Sequence, residues 1–202
     1  MGNMPKKIYD VIIVGAGPSG AAAARGLVNE GLEVLVLEKK KLPRYKTCSG
    51  IIFKKSQDIT EKLFGKIPES VYVTPRFLKG VRLWSDNKHF SDWPFNKDNN
   101  GAPNVWRSEY DYWLIKNSGA EVKDCCSLKG FKDYSNYIML ECHDTCNNET
   151  INIRCNHLVS AEGSKSVIRE KIDPDFENGI KWFVAYQNYY EGTSDLDPCF
   201  YH

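Results

Sequence analysis

The chain has 202 residues, which is enough for one large domain or two small ones. Its 42% hydrophobic and 26% charged residues are ordinary for a globular protein, and no stretch reaches the roughly 18 apolar residues of a membrane span. The net charge of +1 argues against nucleic acid or another strongly acidic surface as a partner.

The first predicted element is a strand from Ile8 to Val14, a β-branched run that suits a parallel strand buried on both faces. Gly15, Gly17 and Gly20 follow it at G-x-G-x-x-G spacing. The first glycine of such a pattern permits a tight turn, and the second lets the backbone approach a diphosphate. The third lets the next helix pack close to the strand.

An alanine-rich helix is predicted from Pro18 to Glu30, with Gly31 at its end. Its N-terminus offers free N–H groups and a positive dipole end to phosphates. The second strand covers Leu32 to Leu37, and Glu38 follows it, where a carboxylate can bind ribose hydroxyls and would repel a 2′-phosphate. The whole unit predicts a dinucleotide site. The alternative is a glycine turn that serves packing alone.

Short elements are predicted in the middle of the chain. They are helices over Ile51–Phe64 and Ser108–Asn117, short strands over Val71–Val73, Asn104–Trp106 and Ala120–Val122, a hairpin of Val81–Trp84 and His89–Phe90 around an Asp86-Asn87 turn, and a loop from Pro94 to Pro103.

Most of the remaining chain is predicted to be β-structure. The expected elements are a meander of Cys126–Phe131, Tyr137–Cys142 and Glu149–Arg154, a separate buried strand over His157–Ala161, and a short helix over Lys165–Lys171. The aromatic segment from Trp182 to Tyr190 is β-prone and is expected to form the core face of a sheet, with the floor of a substrate pocket as the alternative.

Three separated segments carry a common signature. They are the glycine-rich unit ending at Glu38, the sequence PRYKTCSG from Pro43 to Gly50, and the sequence AEGSKSVIR from Ala161 to Arg169. Together they resemble the geranylgeranyl reductase family of FAD-dependent oxidoreductases, within the aromatic-hydroxylase-like class of flavoproteins. That family carries P-x-x-K-x-C-G-G and A-D-G-x-x-S-x-x-R, so Ser49 and Glu162 depart from its pattern. Between these motifs it carries an Arg followed by an aromatic-Asp pair, here Arg107, Tyr110 and Asp111; Tyr110 is expected to pack and Asp111 to lie at the surface.

The resemblance implies that FAD is the cofactor. The residues implied to bind it are Gly15, Gly17, Pro18, Ser19, Gly20, Glu38, Lys39, Arg44, Arg107, Glu162 and Gly163. Arg107 opens a helix, where a cation opposes the dipole, and this conflict points to a role at a cofactor phosphate or the ribityl chain. For Arg44, contact with the adenosine side and a solvated side chain are equally compatible with the sequence.

The resemblance also implies two catalytic residues, Cys48 and Lys46, in a K-x-C loop beside the flavin ring. Cys48 would steer or protonate an alkene carbon, and Lys46 would favour the thiolate or anchor the cofactor. The alternative for Cys48 is a small packed side chain in a loop.

The expected architecture is α/β, with an FAD/NAD(P)-binding Rossmann-like fold and an interleaved β-rich substrate domain. Residues 1–74 and 106–172 are assigned to the FAD-binding domain, 75–105 to a substrate-domain hairpin, and 173–202 to the start of the substrate domain. Members of the family continue well beyond this length, so the resemblance covers their N-terminal half. A truncated product and a split gene are both compatible with it.

The expected activity is reduction of carbon–carbon double bonds in an apolar or isoprenoid-like small molecule, with a reduced nicotinamide or ferredoxin as electron donor. One alternative is a flavin monooxygenase or halogenase of the same fold. Another is a non-catalytic FAD-binding fragment that a second chain completes. Peripheral membrane contact stays open, although the basic run Lys39–Lys41 is short.

The seven cysteines are odd in number and lack the spacing of a disulfide scaffold, and no signal peptide precedes the first strand. A cytoplasmic location with reduced thiols is therefore expected. Five of the cysteines lie between Cys125 and Cys155, but their spacing matches no standard zinc pattern. Buried free cysteines, without a metal, are the expectation there.

Overall fold

The computed structural model describes residues 7–86, 88–95 and 101–202. Asn87 of the expected hairpin turn and residues 96–100 of the expected loop lie outside the described residues. The helices are α1 (Pro18–Asn29), α2 (Lys54–Phe64), α3 (Arg107–Lys116) and α4 (Val167–Ile172). The strands are β1 (Ile8–Val14), β2 (Val34–Leu37), β3 (Tyr72–Leu78), β4 (Gly80–Trp84), β5 (Phe90–Pro94), β6 (Ala102–Val105), β7 (Glu121–Lys123), β8 (Cys126–Tyr134), β9 (Tyr137–Asp144), β10 (Glu149–Ser160) and β11 (Phe200–Tyr201).

The chain forms two compact units. The first consists of Met1–Arg44 and Asp111–Phe183, and the second of Tyr45–Tyr110 and Val184–His202. The expected boundaries after residues 74, 105 and 172 separate an FAD-binding domain from a substrate domain, and this functional division stays a prediction. By contacts alone, the units divide after Arg44, Tyr110 and Phe183.

The first unit is built on a six-stranded sheet with the order β7-β2-β1-β10-β9-β8. The first four strands run parallel to one another, and β9 and β8 continue the sheet in antiparallel pairs. Ile12, Ile13 and Val36 are fully buried in the central strands, as their uninterrupted apolar runs predict. The expected order of strand, glycine turn, helix and strand is present in β1, α1 and β2.

One long strand, β10, replaces the two strands expected between Glu149 and Ala161, so that prediction is wrong. Residues Glu149–Cys155 pair with β9 in antiparallel fashion, and Arg154–Ser160 pair with β1 in parallel. Asn156 lies between the two expected strands and His157 begins the second, and both side chains are exposed on a strand that continues through them. Polarity at an exposed position does not interrupt backbone pairing.

The second unit contains smaller sheets. β4 pairs with β5 in the expected hairpin and with β11 on its other edge, and β3 pairs with β6. The strand expected at Val71–Val73 begins at Tyr72 and continues to Leu78, after a 3-10 turn over Glu69–Val71. Gly50 leads into this unit, and its carbonyl oxygen accepts the N–H of Val105 at 2.9 Å.

The aromatic segment from Trp182 to Tyr190 does not form the expected core strand. Its residues belong to no helix or strand, and Phe183 and Tyr186 are each 91% exposed. β-propensity reflects how a side chain packs on a sheet, and this segment has no strand partner among the described residues to supply that packing. The prediction of a buried core face is therefore wrong.

All helices in the described residues are short, and α1 is the longest at 12 residues. Within that part of the chain, no helix has the length and apolar character needed to cross a membrane. The expected cytoplasmic location stays a prediction.

Candidate functional site

The turn after β1 packs directly against the turn after β10. Gly15 has a φ of +110°, and a Cβ atom at this position would lie 2.3 Å from the carbonyl oxygen of Ala161. The N–H of Ala161 donates to the carbonyl of Val14 at 2.8 Å. The structure thus brings the first glycine turn together with the Glu162-Gly163 turn, two of the regions predicted to bind the cofactor.

Gly17 caps the N-terminus of α1 and supplies no side chain to the N–H groups of the first turn. Among the described atoms, a Cβ at Gly17 would meet only Nη2 of Arg44, at 3.6 Å. Pro18 is the first helical residue, and Ser19 beside it is exposed. A bare helix N-terminus with a positive dipole end and open space above it fits an anionic group such as a diphosphate.

Gly20 holds α1 close to the turn. A Cβ atom there would lie 1.9 Å from the carbonyl oxygen of Gly15, so any larger residue must displace backbone. Gly26, in the same helix, has no atom within 4 Å of the corresponding position among the described residues. A close contact therefore requires glycine at position 20, whereas no such contact requires it at position 26.

A buried ion cluster adjoins the glycine turn. Glu38 is 5% exposed, and its Oε2 atom accepts the N–H of Ala16 at 3.3 Å and Nε of Arg44 at 2.9 Å. Its Oε1 atom accepts the N–H of Lys40 at 3.0 Å. Both carboxylate oxygens thus have protein partners, and the predicted bond from Glu38 to a ribose stays a prediction.

Arg44 is not the solvated arginine that one alternative described. Its side chain is 11% exposed and lies between two carboxylates, because Nη1 also donates to Oδ2 of Asp111 at 3.2 Å. Sequence reasoning placed Asp111 at the surface, yet it is 1% exposed. The available signal was its place after Arg107 and Tyr110, in the Arg and aromatic-Asp pattern of the resembled family. Lys39, by contrast, is exposed.

The side chain of Glu162 accepts hydrogen bonds from residues at the start of α4. Its Oε1 atom accepts the N–H of Val167 at 3.1 Å, and its Oε2 atom accepts the hydroxyl of Ser166 at 2.6 Å. The carboxylate therefore stabilises the first turn of α4, which is a structural reason for an acid here. Gly163, with a φ of +83° and open space around it, is the part of this turn that presents backbone.

A cleft of about 580 Å³ lies beside this turn in the first unit. Its lining includes Ser19, Gly163, Arg169 and Phe176. The guanidinium of Arg169 donates to the carbonyl of Gly163 at 3.3 Å and lies 4.6 Å from the ring centre of Phe176. Its Nε atom is buried and has no hydrogen-bond partner among the described residues. The cleft thus combines exposed backbone, a cation and an apolar wall.

The predicted catalytic residue Cys48 lies in the second unit, with Arg107. Its Sγ atom accepts the N–H of Gly50 at 3.5 Å, and the guanidinium of Arg107 lies within hydrogen-bonding reach. Burial alone would raise the pKa of the Cys48 thiol, but the hydrogen bonds from Gly50, Arg107 and Ser49 and the charge of Arg107 together outweigh it, so the pKa lies below its ordinary value. The expected cation beside the thiol was Lys46; that side chain is exposed, and Arg107 takes the position.

Gly50 fixes the donor that faces the thiol. It has a φ of +79°, and a Cβ atom there would lie 2.3 Å from the carbonyl oxygen of Val105. Ser49 replaces only the first glycine of the Gly-Gly pair in the resembled family, so Gly50, which this contact requires, is retained.

The seven cysteines are all free. Cys126 and Cys142 are buried together in the core, and a hydrogen bond between the thiols, followed by burial, raises the pKa of Cys142. Cys125 precedes β8 with a φ of 53° and contacts the exposed Cys146. In the part of the chain that the structure describes, no three His, Cys, Asp or Glu residues are grouped so that they could hold a metal ion.

The sequence matches the family model of the NAD(P)-binding Rossmann-like domain over residues 13–44. It is 29% identical to a flavin-dependent halogenase of Armillaria mellea over 94% of this chain and 38% of that protein. The chain spans about two fifths of the length of the first curated relatives that it matches, 39% and 38%.

Two solved structures share the fold. A geranylgeranyl bacteriochlorophyll reductase-like protein of Thermoplasma acidophilum has a TM-score of 0.63 and 23% identity over 78% of this chain and 40% of its own. The flavin-dependent monooxygenase PieE in complex with FAD and substrate has a TM-score of 0.67 and 14% identity over 84% of this chain and 32% of its own. The expected α/β fold of FAD-dependent oxidoreductases, with its Rossmann-like domain, is confirmed.

The close contact at Gly20 gives a test of the glycine turn. We expect Gly20→Ala to lower the free energy of unfolding by about 2 kcal/mol, because its Cβ overlaps the Gly15 carbonyl oxygen. Gly26→Ala, the same change in the same helix, should be neutral or stabilise by up to about 1 kcal/mol. Urea denaturation of both variants measures the difference. Equal effects at the two positions would contradict the contact.

The surroundings of Cys48 give a test of its pKa. Iodoacetamide should alkylate Cys48 with a midpoint at lower pH than Cys146, whose pKa is raised first by its hydrogen bond to Cys125 and then by burial. Site-resolved mass spectrometry across a pH series measures both in one sample. Arg107→Gln should move the Cys48 midpoint upward and leave that of Cys146 in place. Midpoints of Cys48 and Cys146 that coincide would contradict the assignment.

Proposed function

We propose that this chain is the FAD-binding part of an oxidoreductase that reduces carbon–carbon double bonds of an apolar, isoprenoid-like substrate. The observation that carries the proposal is the arrangement of Cys48, with the N–H of Gly50 and the guanidinium of Arg107 at its thiol. The K-x-C loop of the resembled reductases and the geranylgeranyl reductase-like neighbour support the same assignment. The chain spans about two fifths of the length of these relatives, so the activity of the whole enzyme is part of this proposal.

The cofactor is FAD. Its diphosphate fits the bare N-terminus of α1 above Gly17, with the backbone of Gly163 and the guanidinium of Arg169 at the adjoining cleft. Arg44 borders the same space, 3.6 Å from the position of a Gly17 Cβ, and offers a cation to a phosphate. In this proposal Glu38, which follows β2, binds the adenosine ribose in exchange for one of its protein partners.

When bound, reduced FAD supplies the hydride for one carbon of the double bond. Cys48 supplies the proton for the other carbon from its Sγ atom, so that the alkene gains one hydride and one proton. The thiolate left behind is stabilised by the N–H of Gly50 and by Arg107, which lower the pKa of the thiol. Solvent then returns the proton to Sγ. The electron donor that reduces the cofactor is a reduced nicotinamide or ferredoxin.

A halogenase or monooxygenase of the same fold is the second candidate, and the halogenase relative favours it specifically. In such an enzyme the reduced flavin would react with oxygen. No alkene would be reduced, so Cys48 would have no role as a proton donor. A third candidate is an FAD-binding fragment without activity of its own. The role of Cys48 separates the first two, and FAD binding with no reaction at all identifies the third.

FAD binding can be tested at Gly17. We expect the purified chain to bind FAD and Gly17→Ala to weaken that binding at least about tenfold, because the new methyl group occupies the space above the helix N-terminus. The same change at Gly26 is the control. Titration with flavin fluorescence measures the affinity, and circular dichroism checks that each variant is folded. An unmodified chain that binds no flavin would contradict the cofactor assignment.

The reaction can be tested at Cys48. In the FAD-loaded protein, reduced chemically without oxygen, Cys48→Ala should slow reduction of a polyprenyl alkene by about 10²-fold, because the proton donor is lost. Flavin affinity should stay unchanged. Mass spectrometry of the product detects the added hydrogen atoms. Halide incorporation that depends on oxygen and is indifferent to Cys48→Ala would instead establish the halogenase.

A further inference from the structure

One side chain ties an exposed stretch of the second unit to the loop that carries Cys48. From Val184 to Leu196, every residue other than Gln187 is exposed. Gln187 is half-buried because its amide reaches the backbone of Cys48. A polar side chain that is ordered within an exposed segment indicates a specific contact and not general packing.

The amide of Gln187 pairs with both backbone groups of Cys48. Its Oε1 atom accepts the N–H of Cys48 at 3.1 Å, and its Nε2 atom donates to the carbonyl of Cys48 at 2.9 Å. The same Oε1 atom accepts the hydroxyl of Tyr45 at 3.2 Å. A side-chain amide has one acceptor and one donor end, so this two-point pairing fixes the orientation of the Cys48 peptide groups.

Aromatic contacts hold Gln187 in reach of the loop. Tyr189, two residues further along, packs edge-on against Tyr45 with ring centres 6.4 Å apart. It also packs against Trp106 at 4.9 Å, next to Arg107 in the chain. These contacts place the segment against both sequences that surround the thiol.

The backbone and the thiol of Cys48 are thus held by different groups. Gln187 binds the N–H and carbonyl, while Gly50 and Arg107 face Sγ. If the backbone turned, the thiol would move away from the N–H of Gly50, which is itself fixed against Val105. The position of Sγ therefore depends on the amide of Gln187.

We propose that Gln187 is a positioning residue for Cys48, holding its backbone so that the thiol stays between Gly50 and Arg107. This inference rests on the proposed function, in which Cys48 delivers a proton. The alternative is a tether that only fastens the exposed segment and has no effect on the thiol.

The test follows the pH midpoint of Cys48 alkylation in Gln187→Ala, with Asn188→Ala, the exposed neighbouring amide, as the matched control. Gln187→Ala should move the midpoint upward by at least about 0.5 pH unit, because the thiolate loses its two fixed donors. Asn188→Ala should leave it unchanged. Tyr45→Phe removes the two contacts of the Tyr45 hydroxyl with Gln187, to Oε1 and to the backbone carbonyl, and keeps both bonds to Cys48, so its midpoint should also stay in place.

Alkylation needs neither flavin nor substrate, so this result is independent of the reaction. Should Gln187→Ala fail to fold, Gln187→Met serves instead, since it keeps a side chain of similar length and no charge but loses both bonds to the Cys48 backbone. A midpoint that does not move in a folded Gln187 variant overturns the positioning role and leaves the tether. A shifted midpoint, together with full alkene reduction by Cys48→Ala, would instead overturn the proposed function while the positioning role stands.

Discussion

The nucleotide site depends on the contact between Gly15 and Ala161, which leaves no room for a side chain on the first glycine. This contact sets the turn after β1 against the turn after β10, and the hydrogen bond from Ala161 to Val14 continues the sheet between them. The glycine-rich backbone predicted to hold the diphosphate lies in these two turns and at the start of α1. A group bound above Gly17 would therefore meet two chain segments that are distant in sequence.

A buried cluster of charges borders the same space. Arg44 lies between Glu38 and Asp111, and the three side chains are 11%, 6% and 1% exposed. Removal of the arginine would take the shared cation away from two buried carboxylates, and breaking a buried ion pair in this way is strongly destabilising. The cluster therefore orders the loop after β2 and keeps a cation beside Gly17, where a phosphate would gain from it.

The parts of the fold that could be predicted from sequence are those with local signals. The spacing of Gly15, Gly17 and Gly20 after an apolar run encodes a turn whose reasons lie within a few residues, and β1, α1 and β2 appear where expected. The surroundings of Cys48 could not be predicted in this way. Gln187 is 139 positions from Cys48, and the residues around it carry no sequence pattern that predicts a bond to a cysteine backbone. The aromatic segment from Trp182 to Tyr190 was wrongly predicted to be a core strand for the same reason. Its composition resembles that of a core strand, but composition does not supply a strand partner.

The single strand β10 has a consequence for how the chain folds. Its first half pairs with β9, which is close in sequence, and its second half pairs with β1 across most of the chain. The local hairpin of β9 and β10 can form early, because its loop closure is cheap, whereas β1 keeps an open edge until residues 154–160 arrive. During synthesis, β1 therefore stays unpaired on this edge until β10, the last strand of its sheet in chain order, has been made. In that interval its unpaired edge is open to mispairing and to chaperones.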